Sequence, residues 1–252
     1  MLLKRIMPCL LFNGRALVKT KNFKEPNYIG DPINAIKIYN EKEVDELILL
    51  DINASKERRK PYFDKIKEFA SECFMPFTYG GGVSDINDFK TLFNIGVEKV
   101  AVKKLLFCKP EIVKEAVKVF GAQAIVGVVD VITASNNDYY IHNETDYNSS
   151  IKLNDFLNYL ENEIGIGEIL LQDVTKEGTW SGYNHFLIKE VICKVNVPVI
   201  VLGGANSVKD IKEVLYKSGA TAAAIGNMAV YQKKGMGVLI RFPKRNDLIE
   251  NE

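Results

Sequence analysis

The chain has 252 residues, of which 47% are hydrophobic and 26% charged, the proportions of an ordinary globular protein. Its formal net charge of +1 argues against general nucleic-acid binding, which requires a concentrated basic surface. No apolar run reaches the length of a membrane span, and the N-terminus lacks the apolar core of a signal peptide, so we expect a cytoplasmic protein without membrane contact. The scattered cysteines lack a Cys-x-x-Cys pair, which predicts no zinc site, no disulfide and no cofactor.

The predicted elements alternate between apolar strands and amphipathic helices along the whole chain. Strands are expected at 6–12, 44–51, 76–79, 97–102, 124–130, 169–173, 198–202 and 222–225. Helices are expected to begin at 31–32, to cover 58–72, 110–120, 154–163 and 207–217, and to open again at 226–228. The polar segment 15–30 is interpreted as a mobile lid, and 139–142 as a small extra hairpin. The tail from 235 to 243 has no clear helical pattern.

A tandem repeat relates the two halves of the chain. Gly80 and Gly96 are sixteen positions apart, as are Gly203 and Gly219. Each copy is interpreted as strand, helix, strand, glycine turn, helix, strand, which is half of a (β/α)8 barrel. We therefore predict a single α/β domain, a TIM barrel covering residues 1–252, built from half-barrels at about 1–120 and 121–252.

Two glycine turns lie at matching positions of the repeat. Gly80-Gly81-Gly82 and Gly203-Gly204 each end a strand and precede a predicted helix. Such turns let the backbone approach a ligand while the helix offers free N–H groups, which favours a phosphate site in each half. A ligand with a phosphate at each end is the expected occupant. The alternative is that the glycines only form tight turns.

Other candidate residues lie where barrel enzymes carry their chemistry. Asp51 and Asp130 end predicted strands, and catalytic side chains of this architecture lie at strand ends. Lys19 belongs to the lysine-rich lid, which would face any anionic ligand.

Over nearly its whole length the chain resembles the cyclase subunit of imidazole glycerol phosphate synthase. The matching pieces lie at 4–6, 30–32, 45–47, 50–52, 80–82, 167–171, 178–183 and 203–205. The resemblance implies a class I glutaminase partner, the HisH-like subunit, which releases ammonia into the barrel axis. It also implies a phosphorylated small-molecule substrate, in that family a bisphosphorylated ribonucleotide. The family products are imidazole glycerol phosphate and an aminoimidazole carboxamide ribotide of histidine biosynthesis.

The resemblance assigns roles to particular positions. The family closes the bottom of its barrel with two basic and two acidic residues, and the matching ammonia gate here is Arg5, Glu46, Lys99 and Glu168. The matching substrate and phosphate positions are Gly82, Lys103 and Lys104 in one half and Glu177, Gly178, Gly204, Gly226 and Asn227 in the other. Lys103 and Lys104 replace the neutral pair usual in the family, and Glu177 replaces an aspartate. Asp130 matches one of the two catalytic aspartates.

Leu11 stands where the second catalytic aspartate is expected. An aliphatic side chain cannot act as a general acid or base, so altered chemistry is predicted. The run at 8–11 and the run at 19–24 resemble a divergent branch of the family, which is linked to amidation of sugars in bacterial surface polysaccharides such as lipopolysaccharide. In that branch a sugar amidotransferase acts alongside the glutaminase and the barrel.

Two alternatives to an ammonia-using enzyme stay open. One is a phosphoribosyl isomerase of the same fold, which shares both phosphate sites but needs no ammonia gate. The other is a non-catalytic ammonia-channel scaffold that keeps the binding and docking surfaces.

Overall fold

The computed structural model describes residues 4–134, 138–143, 151–243 and 247. In chain order the strands are β1 (Arg5–Phe12), β2 (Leu17–Lys21), β3 (Lys24–Gly30), β4 (Leu47–Asp51), β5 (Phe77–Gly80), β6 (Lys99–Val102), β7 (Ile125–Thr133), β8 (Tyr139–Ile141), β9 (Glu168–Asp173), β10 (Val199–Leu202) and β11 (Ala222–Ile225). The helices are α1 (Pro32–Glu41), α2 (Phe63–Glu72), α3 (Ile86–Asn94), α4 (Lys104–Cys108), α5 (Pro110–Phe120), α6 (Leu153–Asn158), α7 (His185–Ile192), α8 (Val208–Lys212) and α9 (Asn227–Val230). Helices α6 and α8 continue as π-helical turns over Tyr159–Ile164 and Glu213–Lys217.

Eight of these strands form a closed parallel barrel. β1, β4, β5, β6, β7, β9, β10 and β11 pair in that order, and β11 also pairs with β1. Closure leaves the barrel without a free strand edge, and helices cover its outer surface, as parallel connections require. The predicted (β/α)8 barrel is confirmed.

Alternate residues of the barrel strands point into its interior, because successive side chains of a strand lie on opposite faces. The interior cluster consists of Met7, Cys9, Ile48, Ala101, Val126, Val128, Leu170, Ile200, Leu202, Ala222 and Ala224. Burial raises the pKa of the Cys9 thiol to about 11, so this cysteine is a protonated packing residue at neutral pH. The larger cluster lies outside the strands, between them and the helices.

The segment predicted as a mobile lid is a β-hairpin. Strands β2 and β3 pair antiparallel, and β2 also pairs with β1 through Leu17 and Val18, which are buried. The two turn residues Asn22 and Phe23 both have positive φ, at 51° and 61°, as a type I′ hairpin turn requires. Two apolar residues inside the polar segment anchor this hairpin to β1, and its movement as a lid stays a prediction.

Other boundaries differ from the predicted ones in small ways. Strand β4 begins at Leu47 and helix α2 at Phe63, both later than predicted, and turns fill most of the stretch between them. The extra hairpin is confirmed as β8 pairing antiparallel with β7. After α9 the described tail turns back on itself, with an antiparallel bridge between Tyr231 and Val238 and with Leu239 N donating to the carbonyl of Val230. No helix among the described residues is long and apolar enough to cross a membrane.

The matched glycines of the two halves make matched contacts. A Cβ added to Gly81 would lie 2.4 Å from the carbonyl oxygen of Asp51, and one added to Gly203 would lie 2.8 Å from that of Asp173. In both halves the chain therefore crosses closely over the end of the preceding barrel strand. The division into two duplicated half-barrels stays an interpretation of the sequence.

We predict that Gly81→Ala lowers the free energy of unfolding by about 3 kcal/mol, because it combines positive φ with a backbone clash. The φ of Gly81 is +122°, a conformation that side chains with a Cβ rarely adopt. Urea unfolding measures the change. Gly237→Ala is the control, since nothing lies within 4 Å of its added Cβ. Equal stability of the two variants would contradict the close-packing role.

Candidate functional site

Four charged side chains meet at the end of the barrel where the strands begin. Arg5 Nη1 donates to Glu46 Oε1 at 2.5 Å, and Arg5 Nη2 donates to Glu168 Oε1. Lys99 Nζ lies 3.0 Å from Glu46 Oε2 and 2.8 Å from Glu168 Oε2. Each cation therefore bridges both carboxylates, and we call this closed arrangement the charged ring. The four residues predicted as a gate are brought together.

The charged ring is buried on its acidic side and partly open on its basic side. The side chains of Arg5 and Lys99 are 20% and 19% exposed, and those of Glu46 and Glu168 are 10% and 5% exposed. Buried carboxylates are stable only when their charges are matched, and here each receives two cationic partners. The ring thus closes the barrel end while its cations contact solvent.

At the other end of the barrel two pockets share a wall. The larger, which we call the Lys103 pocket, has a volume of about 210 Å³. Its lining includes Leu11, Leu50, Asp51, Gly82, Lys103, Lys104, Asp130 and Gln172. The smaller, the Asn227 pocket, has about 30 Å³ and is lined by Leu11, Lys19, Gln172, Glu177, Gly178, Trp180, Gly204, Gly226 and Asn227 among others. The predicted site residues of each half therefore line one pocket each.

The two pockets are unequal in size. The Lys103 pocket, at about 210 Å³, is several times larger than the Asn227 pocket, at about 30 Å³. The expectation of a phosphate site in each half stays a prediction for both pockets.

Asp130 carries its carboxylate at the strand end, next to Lys103. Lys103 Nζ lies 2.6 Å from Asp130 Oδ2, and the two residues come from the neighbouring strand ends of β6 and β7. Asp130 Oδ1 is buried and has no hydrogen-bond partner among the described residues. Asp130, which lines the Lys103 pocket, therefore keeps one carboxylate oxygen without a donor.

Leu11 makes the opposite part of this wall apolar. It pairs in register with Leu50 of β4. Both lie at the top of the interior cluster, partly buried. This side of the pocket therefore receives no proton donor or acceptor from these two side chains.

Asp51 lies at the Lys103 pocket, but a neighbouring arginine holds its carboxylate. Arg59 Nη1 lies 2.8 Å from Asp51 Oδ2, and Arg59 Nη2 lies 2.9 Å from Asp51 Oδ1. Asp51 Oδ1 also accepts the backbone N–H groups of Asn53 and Ala54. Asp51 therefore orders the loop after β4. Sequence reasoning missed Arg59, which lies within the stretch interpreted as helix.

Glu177 fastens the β2–β3 hairpin over the barrel. Its Oε1 accepts from Thr20 Oγ1 at 2.9 Å, and its Oε2 accepts from Phe23 N at 3.0 Å. The side chain of Asn22 adds hydrogen bonds to the carbonyls of Val174 and Thr175. Both oxygens of Glu177 are thus used inside the protein, where the sequence predicted a substrate contact.

Lys19 is buried inside the Asn227 pocket. Only 4% of it is exposed, and its Nζ donates to the carbonyl of Cys9 at 2.5 Å. Burial lowers the pKa of Lys19, and the nearby Cys9 and Glu177 oppose that effect. A Cβ added to Gly226 would lie 3.4 Å from Lys19 Nζ, so the ammonium group lies beside the start of α9.

The helices that follow the glycine turns have occupied N-termini. Asp85 accepts from the N–H groups at the start of α3, and Asp88 accepts from Ser84. Ser207 caps α8, and Asp210 accepts from Asn206. Side chains of these segments therefore already accept from several of the N–H groups that were expected to be free, and a phosphate site at these helix starts stays a prediction.

The short helices α4 and α9 begin at the pockets instead. Their N-cap residues, Lys103 and Gly226, make no side-chain capping hydrogen bond. Asn227 Nδ2 donates to the carbonyl of Gly178, which joins two residues of the predicted second site. Gly204 is needed for packing, since an added Cβ would lie 2.2 Å from the carbonyl oxygen of Gly182.

Gln172 is a site residue that the sequence analysis did not select. It is 5% exposed, lines both pockets and pairs in register with Asp130 across β7 and β9. Its position two residues after the interior residue Leu170 was a usable signal, because alternate residues share a face.

The comparison with protein families decides the assignment. A family described as "Histidine biosynthesis protein" matches residues 5–235. The chain belongs to this family. Within the histidine biosynthesis family it is similar to "Putative imidazole glycerol phosphate synthase subunit hisF2" of Pseudomonas aeruginosa, with 39% identity over 249 residues, covering 98% of this chain and 99% of the relative.

Two further relatives support a HisF-like position within the histidine biosynthesis family. The "Putative imidazole glycerol phosphate synthase subunit HisF" of Leptospira borgpetersenii is 39% identical over 252 residues, covering 98% of each chain. The "Imidazole glycerol phosphate synthase subunit HisF" of Helicobacter hepaticus is 37% identical over 234 residues, covering 92% of each chain. The resemblance stated from the sequence is confirmed.

We predict that Glu177→Ala releases the hairpin from the loop after β9. The amide protons of Asn22 and Phe23 should then exchange with solvent at least about tenfold faster, because local opening costs less free energy. Hydrogen–deuterium exchange measures this, with the amides of β7 as an internal reference. Glu25→Ala, an exposed change on the same hairpin, should leave both rates unaltered. Unchanged exchange in Glu177→Ala would show that the hairpin is held by other contacts.

Proposed function

We propose that this HisF-like protein takes ammonia from a class I glutaminase at the charged ring and uses it on a phosphorylated acceptor at the Lys103 pocket. The relatives named as imidazole glycerol phosphate synthase subunits support a cyclase-type ancestry. A HisH-like glutaminase is the corresponding partner. The observation that carries the proposal is the charged ring at one end of a barrel whose other end holds the pocket.

The interior between the two ends suits a neutral small molecule. Between the ring and the pocket the interior residues are mostly apolar, Ala101, Ala222 and Ala224 are among the smallest, and Thr78 adds a buried hydroxyl in register with Ile48. An apolar path disfavours ammonium strongly, since a charge without a partner is costly to bury, and disfavours ammonia much less. Ammonia that enters at the ring is therefore the species expected to reach the Lys103 pocket.

The pocket supports a changed reaction. The family chemistry needs two carboxylates on opposite sides of the barrel, and Leu11 faces the pocket where one of them is expected. Asp130 is present, but it is paired with Lys103. We infer that the acceptor is a phosphorylated sugar of the kind amidated in bacterial surface polysaccharides. A sugar amidotransferase would then work beside this chain.

We predict little or no formation of imidazole glycerol phosphate by the unaltered chain with ammonium and the family's ribonucleotide substrate. Loss of one positioned acid or base typically costs on the order of 10²–10⁴ in rate. Leu11→Asp should recover part of that rate, and Leu11→Asn, similar in shape but without a carboxylate, should not. Product formation is followed by chromatography and mass spectrometry. Efficient formation of imidazole glycerol phosphate by the unaltered chain would contradict the proposal that the acceptor has changed.

We predict that Lys99→Ala alters the transfer of glutamine nitrogen while sparing the use of added ammonium. The change removes one cation from the charged ring, so the two buried glutamates retain only Arg5. Some loss of stability is expected, of about 3 kcal/mol, so both nitrogen sources are compared at a temperature where the variant is folded. Acceptor amidation is measured in the glutaminase complex.

Lys67→Ala is the matched control for that experiment. Lys67 lies exposed on α2, away from the charged ring, and carries the same charge. It should leave the ratio of glutamine-dependent to ammonium-dependent activity unaltered. If Lys99→Ala leaves this ratio unaltered as well, the charged ring has no role in ammonia entry.

A further inference from the structure

Lys103 both lines the pocket and forms an ion pair with the carboxylate of Asp130. Its Nζ is 2.6 Å from Asp130 Oδ2, and both residues line the Lys103 pocket. The side chain of Lys103 is 23% exposed, whereas that of Asp130 is 6% exposed. The lysine is therefore the accessible partner of a buried acid.

The acid is only half satisfied by this contact. Asp130 lines the pocket, and its Oδ1 is buried and lacks a hydrogen-bond partner among the described residues. A buried carboxylate oxygen without a donor is unfavourable, so a ligand group gains by donating to this carboxylate once it turns toward the pocket.

Asp130 is also the acid that competes with an incoming anion for Lys103. The other carboxylate of the pocket lining, Asp51, is held by Arg59 in a two-point ion pair. Leu11 and Leu50 supply no charge on the facing wall. The pocket lining contains Lys56, Lys103 and Lys104, and Lys103 is the lysine paired with Asp130. A doubly charged phosphoryl group attracts Lys103 more strongly than the single carboxylate does.

We propose that Lys103 is a shared positioning residue. It pairs with Asp130 when the pocket is empty and with a phosphoryl group of the ligand when the pocket is filled. The carboxylate of Asp130 is then released to accept a hydrogen bond from the part of the ligand that reacts. This inference rests on the phosphorylated acceptor of the proposed function, and it adds that anion binding and exposure of Asp130 are one event.

The test is a double-mutant cycle on anion affinity, with pyrophosphate as the probe and isothermal titration calorimetry as the measurement. Lys103→Met should weaken binding about tenfold, because a charged partner is lost. Asp130→Asn should tighten binding about tenfold when Lys103 is present, and only about twofold in the Lys103→Met background. The twofold effect is what removal of a negative charge from the pocket gives by itself. The larger effect of Asp130→Asn when Lys103 is present measures the competition between Asp130 and the anion for Lys103.

Lys104→Met is the matched control. Lys104 lines the same pocket and is exposed, whereas the ion pair that Asp130 forms among the described residues is with Lys103. Its loss should weaken pyrophosphate binding, but Asp130→Asn should still tighten binding about tenfold in that background, since Lys103, the lysine paired with Asp130, is still present. Thermal unfolding of each variant checks that all are folded.

The outcomes separate the two ideas. If Asp130→Asn has the same effect with and without Lys103, the sharing is overturned while the phosphate site of the proposed function stands. If pyrophosphate binds to none of the variants or the unaltered chain, the phosphorylated acceptor and the sharing both fall. If Asp130→Asn tightens pyrophosphate binding clearly more when Lys103 is present than in the Lys103→Met background, the sharing is supported.

Discussion

A closed parallel barrel turns every second residue of each strand inward, and this constraint decides where the chain places its charges. Strand β6 carries Lys99 in the charged ring, Ala101 in the interior and Lys103 at the pocket. On β9, Glu168 and Gln172 mark the two ends in the same way. Strands β6 and β9 thus each link an ion pair at one barrel end to a pocket wall at the other, with an apolar interior residue between them.

The two ends of the barrel differ in how completely their charges are paired. The charged ring matches two cations with two carboxylates, so the apolar interior above it meets no unmatched charge. At the pocket the pairing is looser, since Asp130 has one cation and one open oxygen. The structural end of the barrel is therefore closed and symmetric, whereas the end proposed for chemistry keeps unused hydrogen-bonding capacity.

Much of this arrangement could be predicted from the sequence. The repeated glycine spacing indicated the barrel, and strand ends indicated Asp51 and Asp130. The residues of the charged ring were identified through family resemblance, because four charges far apart in the chain carry no local pattern. Arg59 and Gln172 were missed because their roles arise from tertiary contacts, and the β2–β3 hairpin because its composition is mostly polar.

The most direct test of ammonia passage through the barrel is an isotope measurement. The chain and its glutaminase would be given glutamine labelled with ¹⁵N in the amide, a large excess of unlabelled ammonium, and a small-molecule extract of the producing cells as acceptor. Mass spectrometry would then read the label in the newly amidated product. Passage through the barrel predicts a product enriched in ¹⁵N. A product that carries the isotope ratio of the surrounding ammonium would contradict it.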